Sequence, residues 1–101
     1  MKTFIARLYK SEYEKLSKKM STKDMTNAQL VELSFDKFLK LDKKKQNEYW
    51  QCLEFDRLKT YPFQVKFSDQ FAEKFDYAAE MFNIKRVQLL RIVLMSMIEP
   101  K

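Results

Sequence analysis

Two short stretches of the chain alternate apolar and polar residues with a period of two. Their apolar positions are Phe4, Ala6 and Leu8 in the first stretch, and Phe63, Val65 and Phe67 in the second. This period is typical of a strand that buries one face and exposes the other. We therefore predict two strands, the second beginning at Pro62, where a missing N–H disturbs a ladder least.

Each predicted strand is followed by two segments with helical spacing. After the second strand the apolar stripe is Phe71, Phe75, Ala78, Ala79 and Phe82, and after the first it is the thinner set Tyr13, Leu16 and Met20. Both stripes lie on one side of a helix with 3.6 residues per turn. The last segment, from Val87 to Ile98, is apolar nearly all round, which predicts a helix buried on most sides.

Polar residues mark where these helices begin and where the chain turns between them. Ser11 with Glu14, and Thr26 with Gln29, have the spacing of a capping box. Ser68 or Asp69 is expected to cap the helix after the second strand. Asp24 and Asn83 stand at the turns between helices, where both tolerate a left-handed backbone better than most residues.

The pattern repeats within the chain. A displacement of 59 positions superposes residues 3–40 on 62–99, and the change from strand to helix period falls at the same offset in both copies. The identities are Phe4/Phe63, Glu14/Glu73, Lys15/Lys74, Gln29/Gln88 and Leu30/Leu89. We predict one domain, 1–101, with two strand–helix–helix units at 3–40 and 62–99 joined by residues 41–61.

The joining segment is predicted to be a helix rather than a flexible linker. No Gly, Ser or Pro occurs between Leu41 and Lys59, although flexible linkers are rich in these residues. The apolar residues with helix-like spacing are Tyr49, Trp50, Leu53 and Leu58. We expect a connecting helix near 43–59 that packs against the last helix, with Cys52 as a structural thiol.

A lone strand leaves its ladder groups unpaired and its apolar face open. We therefore expect the two strands to pair within the chain as an antiparallel ribbon. The predicted fold class is mainly α with a two-stranded antiparallel ribbon.

Composition removes many kinds of site. The chain has no His, no Gly and one Cys, which argues against Cys/His zinc sites, His-based acid–base pairs, disulfide scaffolds and phosphate-binding glycine loops. No nucleophile–base pair is evident, so we expect no enzyme, no metal and no cofactor. The N-terminus lacks the apolar run of a signal peptide, and Arg91 and Ser96 interrupt the last apolar stretch, so a cytoplasmic protein is expected.

Charge points to a polyanionic partner. Twenty Lys and Arg against fourteen Asp and Glu give a formal net charge of +6. A basic balance of this size favours nucleic acid as the partner.

The duplicated strand–helix–helix pattern, with a polar cap opening the second helix, resembles the ribbon–helix–helix DNA-binding family, to which the Arc and methionine repressors belong. The resemblance covers 3–40 and 62–99. Two units in one chain are similar to the tandem arrangement of TraY-type proteins, which implies a pseudodimer formed within the chain. It also implies that the ribbon lies in the major groove of double-stranded DNA.

Under this resemblance the outward residues of the ribbon contact base edges. By alternation they are Thr3, Ile5, Arg7 and Tyr9 of the first strand, and Gln64, Lys66 and Ser68 of the second. Arg and Lys can donate to guanine, Gln can pair with adenine, and Ile can touch a thymine methyl group. The alternative is an ordinary solvated strand face.

The starts of the two second helices are the predicted phosphate contacts. The residues there are Thr26, Asn27, Lys85 and Arg86. Free amides and a partial positive charge at a helix N-terminus suit a phosphate. The alternative is simple capping, which explains Lys85 and Arg86 poorly because a cation at that end is unfavourable without an anion.

The expected partner is double-stranded DNA, with self-association on DNA left open, and with no membrane and no small-molecule substrate. The resemblance implies a transcriptional repressor or an accessory protein at a plasmid transfer origin, and the sequence does not separate them. A different class is a helical protein-interaction module without a DNA role, whose apolar last helix and aromatic joining segment would form the docking surface.

Overall fold

The computed structural model describes residues 2–21, 25–50 and 61–98. Its elements in chain order are β1 (Lys2–Leu8), α1 (Lys10–Ser21), α2 (Asn27–Leu39), α3 (Lys43–Glu48), β2 (Tyr61–Phe67), α4 (Asp69–Met81) and α5 (Arg86–Ile98). The protein is mainly helical with one two-stranded antiparallel sheet, which confirms the predicted fold class at that level. The bounds of β1 and α2 recur in β2 and α5 at the 59-residue offset seen in the sequence.

The two strands form the ribbon that alternation predicted. Phe4 lies opposite Val65, and Ala6 lies opposite Phe63. The six predicted inward residues, Phe4, Ala6, Leu8, Phe63, Val65 and Phe67, are buried, and the residues between them are exposed. The predicted pairing of the two strands within the chain is therefore confirmed.

The core lies beneath the ribbon and is rich in aromatic rings. Phe75 packs against Phe4, Phe35 and Phe67, with ring centroids 5.3, 5.1 and 6.1 Å apart. Helix α5 packs against β1, whereas α2 packs against β2. Each second helix thus packs on the strand of the other unit, so the two units share a single core.

Helix α5 is buried on most sides, as its apolar sequence predicts. Every residue from Leu89 to Met95 is buried, and this run includes Arg91.

None of the helices within the described ranges is long and apolar enough to cross a membrane.

Predicted helix signals are confirmed by the geometry at the start of α2 and between α4 and α5. The Gln29 N–H donates to the Thr26 hydroxyl at 3.1 Å and the Thr26 N–H donates to the Gln29 side chain at 2.9 Å, which completes the capping box. Asn83 turns the chain between α4 and α5 with φ of 58°, a left-handed conformation that Asn tolerates. Asp24 lies outside the described residues.

The start of α1 differs from the prediction. This helix begins at Lys10, before the Ser11–Glu14 pair that was expected to cap it. The Tyr9 N–H instead donates to the Glu12 carboxylate at 2.9 Å. Because β1 ends at Leu8, the chain enters the helix earlier, and a carboxylate three residues along caps the entry.

The joining segment begins as predicted, and its described part packs on neighbouring helices. Helix α3 starts after Asp42, whose carboxylate accepts the Lys45 N–H at 2.8 Å. Tyr49 packs on Phe38 of α2, with ring centroids 6.0 Å apart, and lines a pocket together with Ser96 and Met97 of α5. The remainder of the predicted helix near 43–59, with Cys52, Leu53 and Leu58, lies outside the described residues.

Trp50 provides a stability test of this packing. Its ring lies 5.6 Å from Phe82, edge to face, and the side chain is half-buried. Trp50→Ala should lower the free energy of unfolding by roughly 2–3 kcal/mol, below the value for a fully buried aromatic ring. Tyr77→Ala is the control, since that ring is 65% exposed. Urea unfolding measures both; unchanged stability with lost DNA binding would make Trp50 a ligand residue instead.

Candidate nucleic-acid interface

The outer face of the ribbon is exposed and polar at both ends. Thr3 lies opposite Lys66, Ile5 opposite Gln64, and Arg7 opposite Pro62. All of these residues are exposed, Ile5 at 46%. The structure therefore brings Thr3, Ile5, Arg7, Gln64 and Lys66 together on one accessible surface, which we call the ribbon face.

Tyr9 and Ser68 do not belong to the ribbon face, and the sequence-based placement of both is wrong. The strands end at Leu8 and Phe67. Tyr9 is half-buried, with the guanidinium of Arg91 5.7 Å from its ring. The Ser68 hydroxyl accepts the Phe71 N–H at 3.2 Å, which confirms Ser68 as the predicted cap of α4. Both residues stand at the entry to a helix, so strand alternation does not extend to them.

Pro62 is a surface residue that sequence analysis considered only for its missing N–H. It is exposed opposite Arg7, on the same side as the ribbon face. The alternation in the sequence predicts this exposure, because Pro62, Gln64 and Lys66 occupy alternate positions of the strand.

One predicted phosphate site lies beside the ribbon. Thr26, Asn27 and Ala28 at the start of α2 line an open groove together with Gln64, Val65 and Lys66 of β2. Thr26 and Asn27 are exposed. The first turn of α2 thus presents its amides next to two residues of the ribbon face.

The start of α5 differs in chemistry from the start of α2. The Lys85 carbonyl accepts the Leu89 N–H at 3.0 Å, and the Lys85 N–H donates to the Gln88 side chain at 2.8 Å. Lys85 therefore occupies the capping position, as Thr26 does in α2. A lysine side chain carries no acceptor, so it cannot cap the helix amides as a threonine hydroxyl does.

Arg86 already has an anionic partner within the protein. Its guanidinium donates to the two carboxylate oxygens of Asp76 at 2.7 and 2.5 Å and lies 4.3 Å from the Phe4 ring centre. The hydrogen bonds to Asp76 raise the pKa of Arg86. The expectation that this cation requires an external anion is therefore wrong, because Asp76 of α4 supplies the charge.

The sequence pattern did not predict the ion pair between Arg91 and Glu12. In the sequence Arg91 only interrupts an apolar segment. In the structure its guanidinium donates to the Glu12 carboxylate at 3.0 and 3.1 Å. It also donates to the carbonyl of Arg7 at 3.3 Å, which ties it to one end of the ribbon. A single charged residue in a helix that is apolar on all sides is expected to be buried. It therefore indicates a partner of opposite charge, because an unpaired buried charge is costly.

The ribbon face combines several kinds of recognition chemistry. Arg7 and Lys66 are donors at opposite ends, Gln64 is both donor and acceptor, and Ile5 is an apolar contact. A two-stranded ribbon fits the width of the major groove, where such groups distinguish base pairs.

Comparisons of the chain with protein-family models, curated proteins and solved structures find no match. Function is therefore argued from the exposure, charge and pairing of the residues described above.

Proposed function

We propose that the protein binds double-stranded DNA sequence-specifically, as a single-chain ribbon–helix–helix pseudodimer that regulates transcription. The observation that carries this proposal is the ribbon face itself. Its residues are exposed and suited to base edges, while the opposite face of the same two strands is buried in the core. A strand pair that needed only a solvated surface gains nothing from an exposed Ile5.

The strand register supports the pseudodimer. A two-fold axis that relates each residue to the one 59 positions later must pass through a facing pair whose numbers differ by 59. Ile5 and Gln64 are such a pair, and they face each other at the middle of the ribbon. The register is thus the one that two equivalent units related by a two-fold axis would adopt.

This geometry implies a spacing for the DNA site. Arg7 and Lys66 occupy equivalent positions, each two residues from the central pair in opposite directions. At about 3.4 Å per residue they are separated by about 14 Å along the ribbon. That distance corresponds to about 4 base pairs at 3.4 Å per pair. We expect two guanine contacts with this spacing around a centre that is not palindromic, since Ile5 faces Gln64.

Backbone contacts are assigned to the helix starts. Thr26 and Asn27 lie beside Gln64 and Lys66, so a strand whose bases meet the ribbon face would run past the first turn of α2. Lys85 is placed equivalently at α5. Such contacts fix the register of the protein on DNA and carry little sequence information.

Selection of bound duplexes from a random pool tests the proposal. The expected result is an enriched site with two guanines about 4 base pairs apart, together with binding that weakens as salt rises. Repeating the selection with Arg7→Ala should remove one of the two preferences. A pool that is not enriched, or a motif unchanged by Arg7→Ala, would contradict recognition by the ribbon.

Lys85→Ala separates phosphate contacts from base contacts. Because Lys85 is assigned to phosphate, its loss should weaken binding to selected and scrambled duplexes alike and reduce the salt slope by about one. Lys37→Ala removes the same charge from the far end of α2 and should change neither quantity. Titrations at several salt concentrations give both; a loss confined to the selected duplex would place Lys85 on a base.

The location of the bound DNA sequence distinguishes a transcriptional repressor from an accessory protein of conjugation. A bound site that overlaps a promoter supports the proposed repressor. A bound site within a plasmid transfer origin supports the accessory role in conjugation instead. Mapping the selected sequence onto the source DNA distinguishes the two.

A further inference from the structure

A mostly buried ion pair joins the two strand–helix–helix units. Arg91 of α5 and Glu12 of α1 make two hydrogen bonds of 3.0 and 3.1 Å, and their side chains are only 8% and 13% exposed. The same guanidinium donates to the Arg7 carbonyl. Removing such charges from water is costly unless each finds its partner. The packing of the second unit on the first therefore depends on these two side chains meeting.

The contact between α4 and α2, which is equivalent to that between α1 and α5 under the 59-residue repeat, has different residues at these positions. Displacement by 59 positions takes Glu12 to Phe71 and takes Arg91 back to Glu32. Phe71 is buried, and Glu32 is half-buried. At these two positions, therefore, a cation faces a carboxylate where the first unit's α1 meets the second unit's α5, but not at the equivalent positions of α4 and α2.

We propose that the Arg91–Glu12 pair selects the pairing of the first unit with the second and excludes pairing of like units from two chains. Two first units would bring Glu32 of one copy to Glu12 of the other, beside the Arg7 carbonyl and without a cation. Two second units would bury Arg91 against Phe71 without a carboxylate. By symmetry each mismatch occurs twice, whereas within one chain Arg91 and Glu12 neutralise each other.

A second, exposed ion pair between the units does not distinguish pairing within the chain from pairing of like units. Lys74 and Asp36 also join the units, at 3.2 Å, but their side chains are 57% and 50% exposed. The equivalent of Lys74 is Lys15, so two first units could make the same contact. This surface pair therefore does not discriminate, and it serves as the control.

A disulfide at the centre of the ribbon reports which units pair. Ile5 faces Gln64 within the chain, whereas pairing of two first units would place the two copies of position 5 opposite each other. The reporter is Ile5→Cys in a chain whose single cysteine is replaced, Cys52→Ser. This reporter should remain monomeric and free of interchain disulfide.

Glu12→Arg in the reporter should reverse the preference. Within one chain the new guanidinium faces Arg91, a like charge. In paired first units it faces Glu32, and in paired second units Arg91 faces Phe71, which carries no charge. Refolding at about 1 mM, comparable with the effective concentration of tethered units, should give disulfide-linked dimers and a doubled molar mass. Adding Arg91→Glu should restore the monomer without disulfide. Both variants lack the carboxylate that caps Tyr9, so loss of that cap cannot account for the difference.

The exposed pair supplies the matched control. Lys74→Glu places a like charge opposite Asp36 and should leave the reporter monomeric. The proposal is overturned if Glu12→Arg stays monomeric, if it unfolds without forming the disulfide, or if Lys74→Glu gives the same dimers. DNA takes no part in the test, so its outcome is independent of the proposed DNA binding.

Discussion

Arg7→Ala should lower affinity for the selected duplex by about 1–3 kcal/mol and abolish the preference at one base pair. The side chain is exposed at one end of the ribbon face, opposite Pro62. Affinity for a scrambled duplex should fall only by the effect of one lost charge. The free energy of unfolding should change little, because the Arg7 carbonyl, which binds Arg91, remains in the variant.

Two controls make the Arg7 result specific. Lys37→Ala removes one positive charge away from the ribbon, and Lys85→Ala removes one from a predicted phosphate contact. Affinities for selected and scrambled duplexes are compared at several salt concentrations. If Arg7→Ala leaves the ratio of the two affinities unchanged, the ribbon is not the recognition element.

Arg91→Met should lower the free energy of unfolding by about 3–5 kcal/mol, because it leaves the mostly buried Glu12 carboxylate without its cation. The guanidinium is 8% exposed and also holds the end of β1. Adding Glu12→Gln should recover most of the loss. Glutamine keeps an oxygen that can accept the Tyr9 N–H, and replacing both charges of a buried pair is often near neutral.

A double-mutant cycle measured by urea unfolding separates the pair from its surroundings. The exposed Lys74–Asp36 pair, replaced by Lys74→Gln and Asp36→Asn, should show a coupling energy of at most about 1 kcal/mol. The Arg91–Glu12 coupling should be several times larger. Equal couplings in the two cycles would show that burial of Arg91 does not make its partner indispensable.

Local features of the fold were predictable from the sequence. Alternation at Phe4–Leu8 and Phe63–Phe67 identified both strands and their buried faces, because a strand that packs on one side needs a period of two. The Thr26–Gln29 capping box was recognisable because its two hydrogen bonds span only three residues. The errors occurred at element ends, where Tyr9 and Ser68 continue the strand pattern in sequence but stand at helix starts in the structure. There Glu12 accepts the Tyr9 N–H, and Ser68 accepts the Phe71 N–H.

The sequence by itself determined the order of the elements, the 59-residue repeat and the alternation that puts Thr3, Ile5, Arg7, Gln64 and Lys66 on one face, since each follows from spacing between neighbours. Only the tertiary structure decided which charges meet. Asp76 neutralises Arg86, Glu12 pairs with Arg91 across 79 positions, and Thr26 comes to lie beside Gln64. Periodicity reports which face of an element is buried but not which element covers it. Long-range charge partners therefore depend on how α2 and α5 pack on the strands of opposite units.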